Sequence, residues 1–189
     1  LKQGGAPANF TQQPDSRIVT KGSTVINPGV TLNAANTVYE VGKDWINLGN
    51  FNAQFSAVQL VSGLPALVVG SNTFNDFTII EPGKMVKFDA DETQTITGVL
   101  TLKGGYGDLL VLDSTDPLAP WKILPQGETH ILYTLIGNSA NIRGPPLVAE
   151  HSDSLGNNLN WQISTSWTGS GFSADWSDPD NWSTGTVPL

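Results

Sequence analysis

Apolar and polar residues alternate in short runs along nearly the whole chain, and Gly or Pro interrupts almost every stretch of a dozen residues. A period of two marks strands, and helix formers at a 3.6-residue period are absent, so the pattern from Arg17 onward predicts an all-β protein. The clearest strand is TITGVLTLK (95–103), with Ile96, Gly98, Leu100 and Leu102 on one side and a threonine ladder of Thr95, Thr97 and Thr101 with Val99 on the other. Shorter runs at 24–26, 30–32, 57–61, 77–80, 85–88, 109–112 and 121–124 read the same way. ILYTLI (131–136) is apolar on both sides and predicts a strand covered on both.

An internal repeat bears on how the strands stack. VTLNAANT (30–37) aligns with VKFDADET (86–93), each copy preceded by Pro-Gly, and the same offset of 56 residues pairs Gly42 with Gly98 and Gly49 with Gly105. Such a period fits two or three turns of a β-solenoid, since one turn takes roughly 20–25 residues. The expected architecture is therefore a parallel β-solenoid of about six turns over 17–161, with an antiparallel β-sandwich or jelly roll as the alternative. No Asn-Gly or Asp-Gly hairpin signal supports the sandwich, although LKGGYGDLL (102–110) reads as a glycine-rich hairpin. GLPALVVG (63–70) reads as a core strand or an exposed contact strip. Residues 1–16 have the composition of a flexible or strand-donating tail, 162–189 form a Trp-rich cap, junction or start of a further repeat, and both ends read as cut or processed.

Composition narrows the partners. Only 14% of residues are charged and the net charge is -8, which argues against nucleic acid as a partner. There is no cysteine to make a disulfide scaffold or a thiolate metal site, and no apolar run long enough to predict a membrane span.

In order along the chain, WINLGNFNA (45–53), NTFNDFTI (72–79), TQTITGVLTLKG (93–104), PLAPWKI (117–123) and SDSLGNNLNW (152–161) resemble the tandem β-strand repeats of very large bacterial surface and secreted proteins. The closing W-x-G…W-S-x-P-x-N-W-S-x-G-x-V-P (167–188) resembles the element that opens repeats in autotransporter-passenger-like and filamentous-haemagglutinin-like proteins. The resemblance implies a right-handed parallel β-helix, exported to the cell surface, with a structural or adhesive role. Residues 25–161 would be one repeat, and Trp167, Trp176 and Trp182 would pack at a cap or junction.

Catalytic motifs are missing: no G-x-S-x-G, no phosphate loop and no H-E-x-x-H occurs. His130 and His151 read as ordinary hydrogen-bonding residues. Asp89, Asp91 and Glu92, near Lys84 and Lys87, form the one carboxylate group comparable to a polysaccharide lyase or hydrolase site, and read better as a solvated turn. DWSDPDN (175–181) offers Asp175, Asp178, Asp180 and Asn181 as oxygen ligands for calcium, or as Asx-turns shaping the loop around Pro179; Asp113 with Asp116 and Asp153 with Asn157 are weaker groups of the same kind. Trp167, Trp176, Trp182, Trp161 and Trp45 are the candidate interface or stacking residues, for packing between repeats or for a glycan. The expected function is an extracellular structural protein that self-associates into a filament, sheath or surface layer; an adhesin or carbohydrate-binding module is the alternative.

Overall fold

The computed structural model describes residues 8–188; the first seven residues of the expected tail lie outside them. The chain winds as a three-faced coil in which every strand pair is parallel, so the antiparallel alternative is excluded. The first turn is β1 (Ala8–Thr11), β2 (Arg17–Thr20) and β3 (Thr24–Ile26), and the second is β4 (Val30–Asn33), β5 (Val38–Val41) and β6 (Trp45–Asn47). Next come β7 (Asn50–Asn52), β8 (Ala57–Leu60) and β9 (Ala66–Val69), then β10 (Asn72–Phe74), β11 (Asp76–Ile80) and β12 (Met85–Phe88). The fifth turn is β13 (Thr93–Ile96), β14 (Leu100–Lys103) and β15 (Leu110–Ser114); the sixth is β16 (Trp121–Pro125), β17 (Thr129–Leu132) and β18 (Thr134–Gly137). β19 (Ser139–Asn141), β20 (Leu147–Ala149) and β21 (Asp153–Gly156) close about seven turns, and β22 (Trp161–Ile163) begins one more. The expected six become seven because turns are short and β1, inside the expected tail, pairs with β4 of the same chain.

The third face, β3 to β21, is an unbroken seven-stranded sheet. The second runs from β2 to β17 and continues through a Leu132–Glu150 bridge into β20 and β22. On the first face, pairing is interrupted between β7 and β10. Alternate residues point inward and stack on their counterparts: Ile18, Tyr39, Val58, Phe77 and Leu100 form one file on the second face, and Thr20, Val41, Leu60, Ile79, Leu102 and Ile131 another. Large rings fill the centre. Trp45 meets Phe51 at 4.8 Å, Phe74 stacks on Phe77 at 4.6 Å, and Phe88 on Trp121 at 4.1 Å. Some interior polar groups are paired, as in the chain from the Trp45 indole N–H to Asn72 Oδ1 and from Asn72 Nδ2 to Gln94 Oε1, each 2.9 Å.

Two predicted strands are each two strands around a corner. TITGVLTLK bends at Thr97-Gly98-Val99, passing from β13 to β14, and a methyl group on Gly98 would come within 2.3 Å of Asp76 Oδ1. ILYTLI bends at Tyr133, whose φ of 53° turns the chain from β17 into β18. Both segments look continuous in sequence because the corner interrupts the alternation for only a residue or three.

The 56-residue repeat is not a whole number of turns. Val30–Asn33 lies on the first face and Met85–Phe88 on the third, so the repeated unit is a strand followed by a corner. Ala35 and Asp91, 56 apart, both take the left-handed conformation at φ 54° and 63°. One turn takes 19 residues from Thr31 to Asn50 and 29 from Thr93 to Lys122, which removes any fixed period. LKGGYGDLL does contain a tight turn, closed by an antiparallel Gly105–Asp108 bridge, but the flanking β14 and β15 lie on different faces and do not pair with each other. GLPALVVG is divided: Ala66 and Val68 are core, while Leu64 and Leu67 face outward.

Candidate functional site

After β22 the chain leaves the coil and folds over residues 166–184 into a small unit around three tryptophans. Thr168 N donates to Asn181 O at 2.6 Å and Ser183 N to Ser166 O at 2.9 Å, forming an antiparallel pairing about Trp167 and Trp182. Trp182 is buried, its indole N–H donating to Trp176 O at 2.9 Å, and its ring stands edge-on to Trp167 (5.1 Å) and Trp176 (4.2 Å). Trp167 and Trp176 lie nearly parallel, 6.1 Å apart, with 43% and 64% of their surfaces exposed. Two exposed rings are thus held on a buried third. The unit is tied to the coil where Gly107 N donates to Thr184 O at 2.8 Å, and beside that link Thr186 and Val187 line an open groove together with Leu109, Val111 and Leu135.

The acidic loop shapes this unit from within. Asp178 caps the 3-10 turn Pro179–Asn181: one carboxylate oxygen accepts from Asp180 N at 3.2 Å, the other from Ser173 N at 3.1 Å and Ser173 Oγ at 3.3 Å. These donors, Ser173 N foremost, hold its carboxyl below the ordinary value of 3.8. Asn181 is buried, accepts from Gly171 N at 2.8 Å and donates to Ser173 O and Asp175 O at 2.7 and 3.0 Å. Of the four residues expected to face calcium, Asp178 and Asn181 therefore turn their side-chain oxygens to the loop's own N–H groups, and among the described residues no three His, Asp or Glu side chains gather around a common point to hold a metal ion.

The remaining sequence candidates are dispersed. Trp45 is fully buried in the core, and Trp161 is half-buried at the C-terminal end, its indole N–H donating to Ser139 Oγ at 3.1 Å. Asp89 accepts from Gly70 N at 3.0 Å, Asp91 pairs with Lys122 at 3.2 Å, and Glu92 takes the Ser71 hydroxyl. Lys84 points elsewhere, buried with Nζ 2.6 Å from both Ser62 O and Leu64 O, and burial lowers its pKa from the ordinary 10.5. Lys87 lies 3.8 Å from Asp113, which also accepts from Asn138 Nδ2. His130, 3.2 Å from Glu128, lines an open groove of about 540 Å³ with Lys103 and Glu150, and His151 stacks on Tyr133.

A feature with no local sequence signal is the open axial end. Beyond β1, β2 and β3 on one side and β21 and β22 on the other, no further strand is paired among the described residues. Ala8, Phe10 and Ile18 at the N-terminal end, and Trp161 and Ile163 at the C-terminal end, pack on the core yet stay partly exposed. At the N-terminal end lies a pit of about 230 Å³, lined by Ile18, Ile26, Leu32 and Tyr39 with Gln12, Thr20 and Thr24. The Tyr39 hydroxyl is buried without a hydrogen-bond partner among the described residues, and burial pushes its pKa up to about 12. Nothing in the alternation separates these residues from other inward ones; only their place in the first and last turns does.

Comparison of the chain with protein-family models, curated proteins and solved structures returns no match.

Proposed function

We propose that this is an extracellular structural protein, a cell-surface unit that self-associates into a filament, sheath or surface layer. The observation carrying the reading is that, among the described residues, no further strand pairs with either end of the coil and core residues there stay partly uncovered. Such edges recruit another chain unless a cap covers them. Among the described residues the one helical segment is the three-residue turn Pro179–Asn181, and no helix is long and apolar enough to cross a membrane. Export to the surface is supported by the resemblance in residues 45–161 and 167–188 to bacterial surface repeats, and agrees with a chain free of cysteine that carries only 14% charged residues.

A second reading, a carbohydrate-binding module or adhesin, is favoured by the exposed, parallel Trp167 and Trp176 anchored on Trp182. Rigid aromatic faces supply contact area at low entropic cost. Sedimentation velocity over a concentration series tests the first reading: species growing in multiples of 20.1 kDa are expected, and monomer at every concentration overturns it. Retention on an immobilised polysaccharide by a monomeric wild type, lost in Trp176→Ala, would put the second reading in its place.

A further inference from the structure

We propose that the two axial ends are complementary, so that β22 of one copy seats on the first turn of the next, with Trp161 and Ile163 entering the pit around Tyr39. The inference rests on the self-association reading and gives it a direction and a joint.

The inward files of the second face define the fit. Leu147 and Ala149 of β20 carry Trp161 and Ile163 of β22 directly above them. The Leu132–Glu150 bridge aligns Ala149 with Ile131, and hence with the file that begins at Thr20. A second copy added in the same parallel register sets Trp161 beside Ile18 and Ile163 beside Thr20. Apolar side chains left partly bare at one end then cover those left bare at the other. Because all strands run the same way, the two edges differ and pair head to tail, a heterologous contact that propagates without closing when stacked along one axis.

A further observation points to the same occupant. The first turn, residues 8–27, holds Arg17 and Lys21 against Asp15, a net +1; the last, residues 139–163, holds Arg143 against Glu150 and Asp153, a net -1. Head-to-tail stacking brings these opposite charges together, and like ends meeting would not.

The natural absence of cysteine makes the joint testable by cross-linking. Neighbouring parallel strands lie about 4.8 Å apart, within disulfide reach, whereas Thr20 and Ile163 of one copy are separated by seven such spacings, about 34 Å. Mild oxidation of Thr20→Cys/Ile163→Cys should therefore yield a ladder of covalent multimers, while Thr20→Cys/Gln162→Cys, with one thiol facing outward, should yield little. Ile18→Lys and Ile163→Lys, each checked for β-sheet circular dichroism, should each be monomeric alone and form only dimers when mixed. If the wild type sediments as oligomers but no ladder forms and both lysine variants still assemble, the joint is wrong and self-association stands on another surface. Monomer at every concentration, with no ladder, overturns both.

Discussion

Single polar residues hold the corners of this protein together. Asp44 Oδ1 accepts from Leu67 N at 2.9 Å, Asp76 Oδ1 from Val99 N at 2.8 Å and Asp89 Oδ2 from Gly70 N at 3.0 Å, each reaching across to an adjacent turn. The acidic bias of the sequence is thus spent partly on backbone donors that corners leave unpaired. Asp178 does the same within the tryptophan unit, and its pH dependence follows from the direction of its shift. Since its folded pKa lies below the ordinary 3.8, its contribution is fully present above that value and is lost as pH falls through the lower folded one. Tryptophan fluorescence of the terminal cluster should therefore be constant from neutral pH to about 4 and change only below it, and Asp178→Ala should show the low-pH signal already at neutral pH. A transition centred near pH 6 would refute the assignment.

At the level of elements, stability comes from each strand laying its inward residues on the strand a turn away. Trp121 of β16 adds a contact between faces: it is fully buried, stacked on Phe88 of β12 at 15° and hydrogen-bonded through its indole N–H to Gly137 O at 3.2 Å. Trp121→Ala should cost about 3–5 kcal/mol, from lost burial and the cavity left behind, measured by the urea midpoint at unchanged slope. A loss below about 1 kcal/mol would mean that the neighbouring turns collapse into the space.

Across the whole molecule, each turn contacts mainly the turns above and below it, so the coil is a one-dimensional stack with a lateral attachment. The tryptophan unit is joined to it through Gly107 and the Ser152–Ser164 link. Ending the chain after Ile163 should therefore preserve the β-sheet circular dichroism and cooperative unfolding of the coil, removing Trp167, Trp176 and Trp182 from the fluorescence. Collapse of the β signal in that truncation would make the terminal unit part of the coil's own stability. Under the head-to-tail joint the truncated chain would still assemble, since β22 is retained.

The sequence by itself determined that the chain is all-β, because alternation and glycine punctuation are local and survive without knowledge of neighbours; it favoured a solenoid, and the parallel pairing of every strand excluded the sandwich. Val30, Leu32, Val86 and Phe88 were legible as core from that period alone, and all are buried. The three-residue corner at Thr97-Gly98-Val99 and the single-residue one at Tyr133 were hidden, since one left-handed residue or one glycine can change the face a strand joins without breaking a run of apolar letters. Only the tertiary structure decided which of the six tryptophans are core and which face solvent: identical indoles at Trp45 and Trp176 differ by where their turns lie, fully enclosed in one case and outside the coil in the other. It also decided that Phe10, Ile18, Trp161 and Ile163 mark the ends, because partners one turn apart are 14 to 29 residues away in sequence, and being first or last in a stack is a property of the stack.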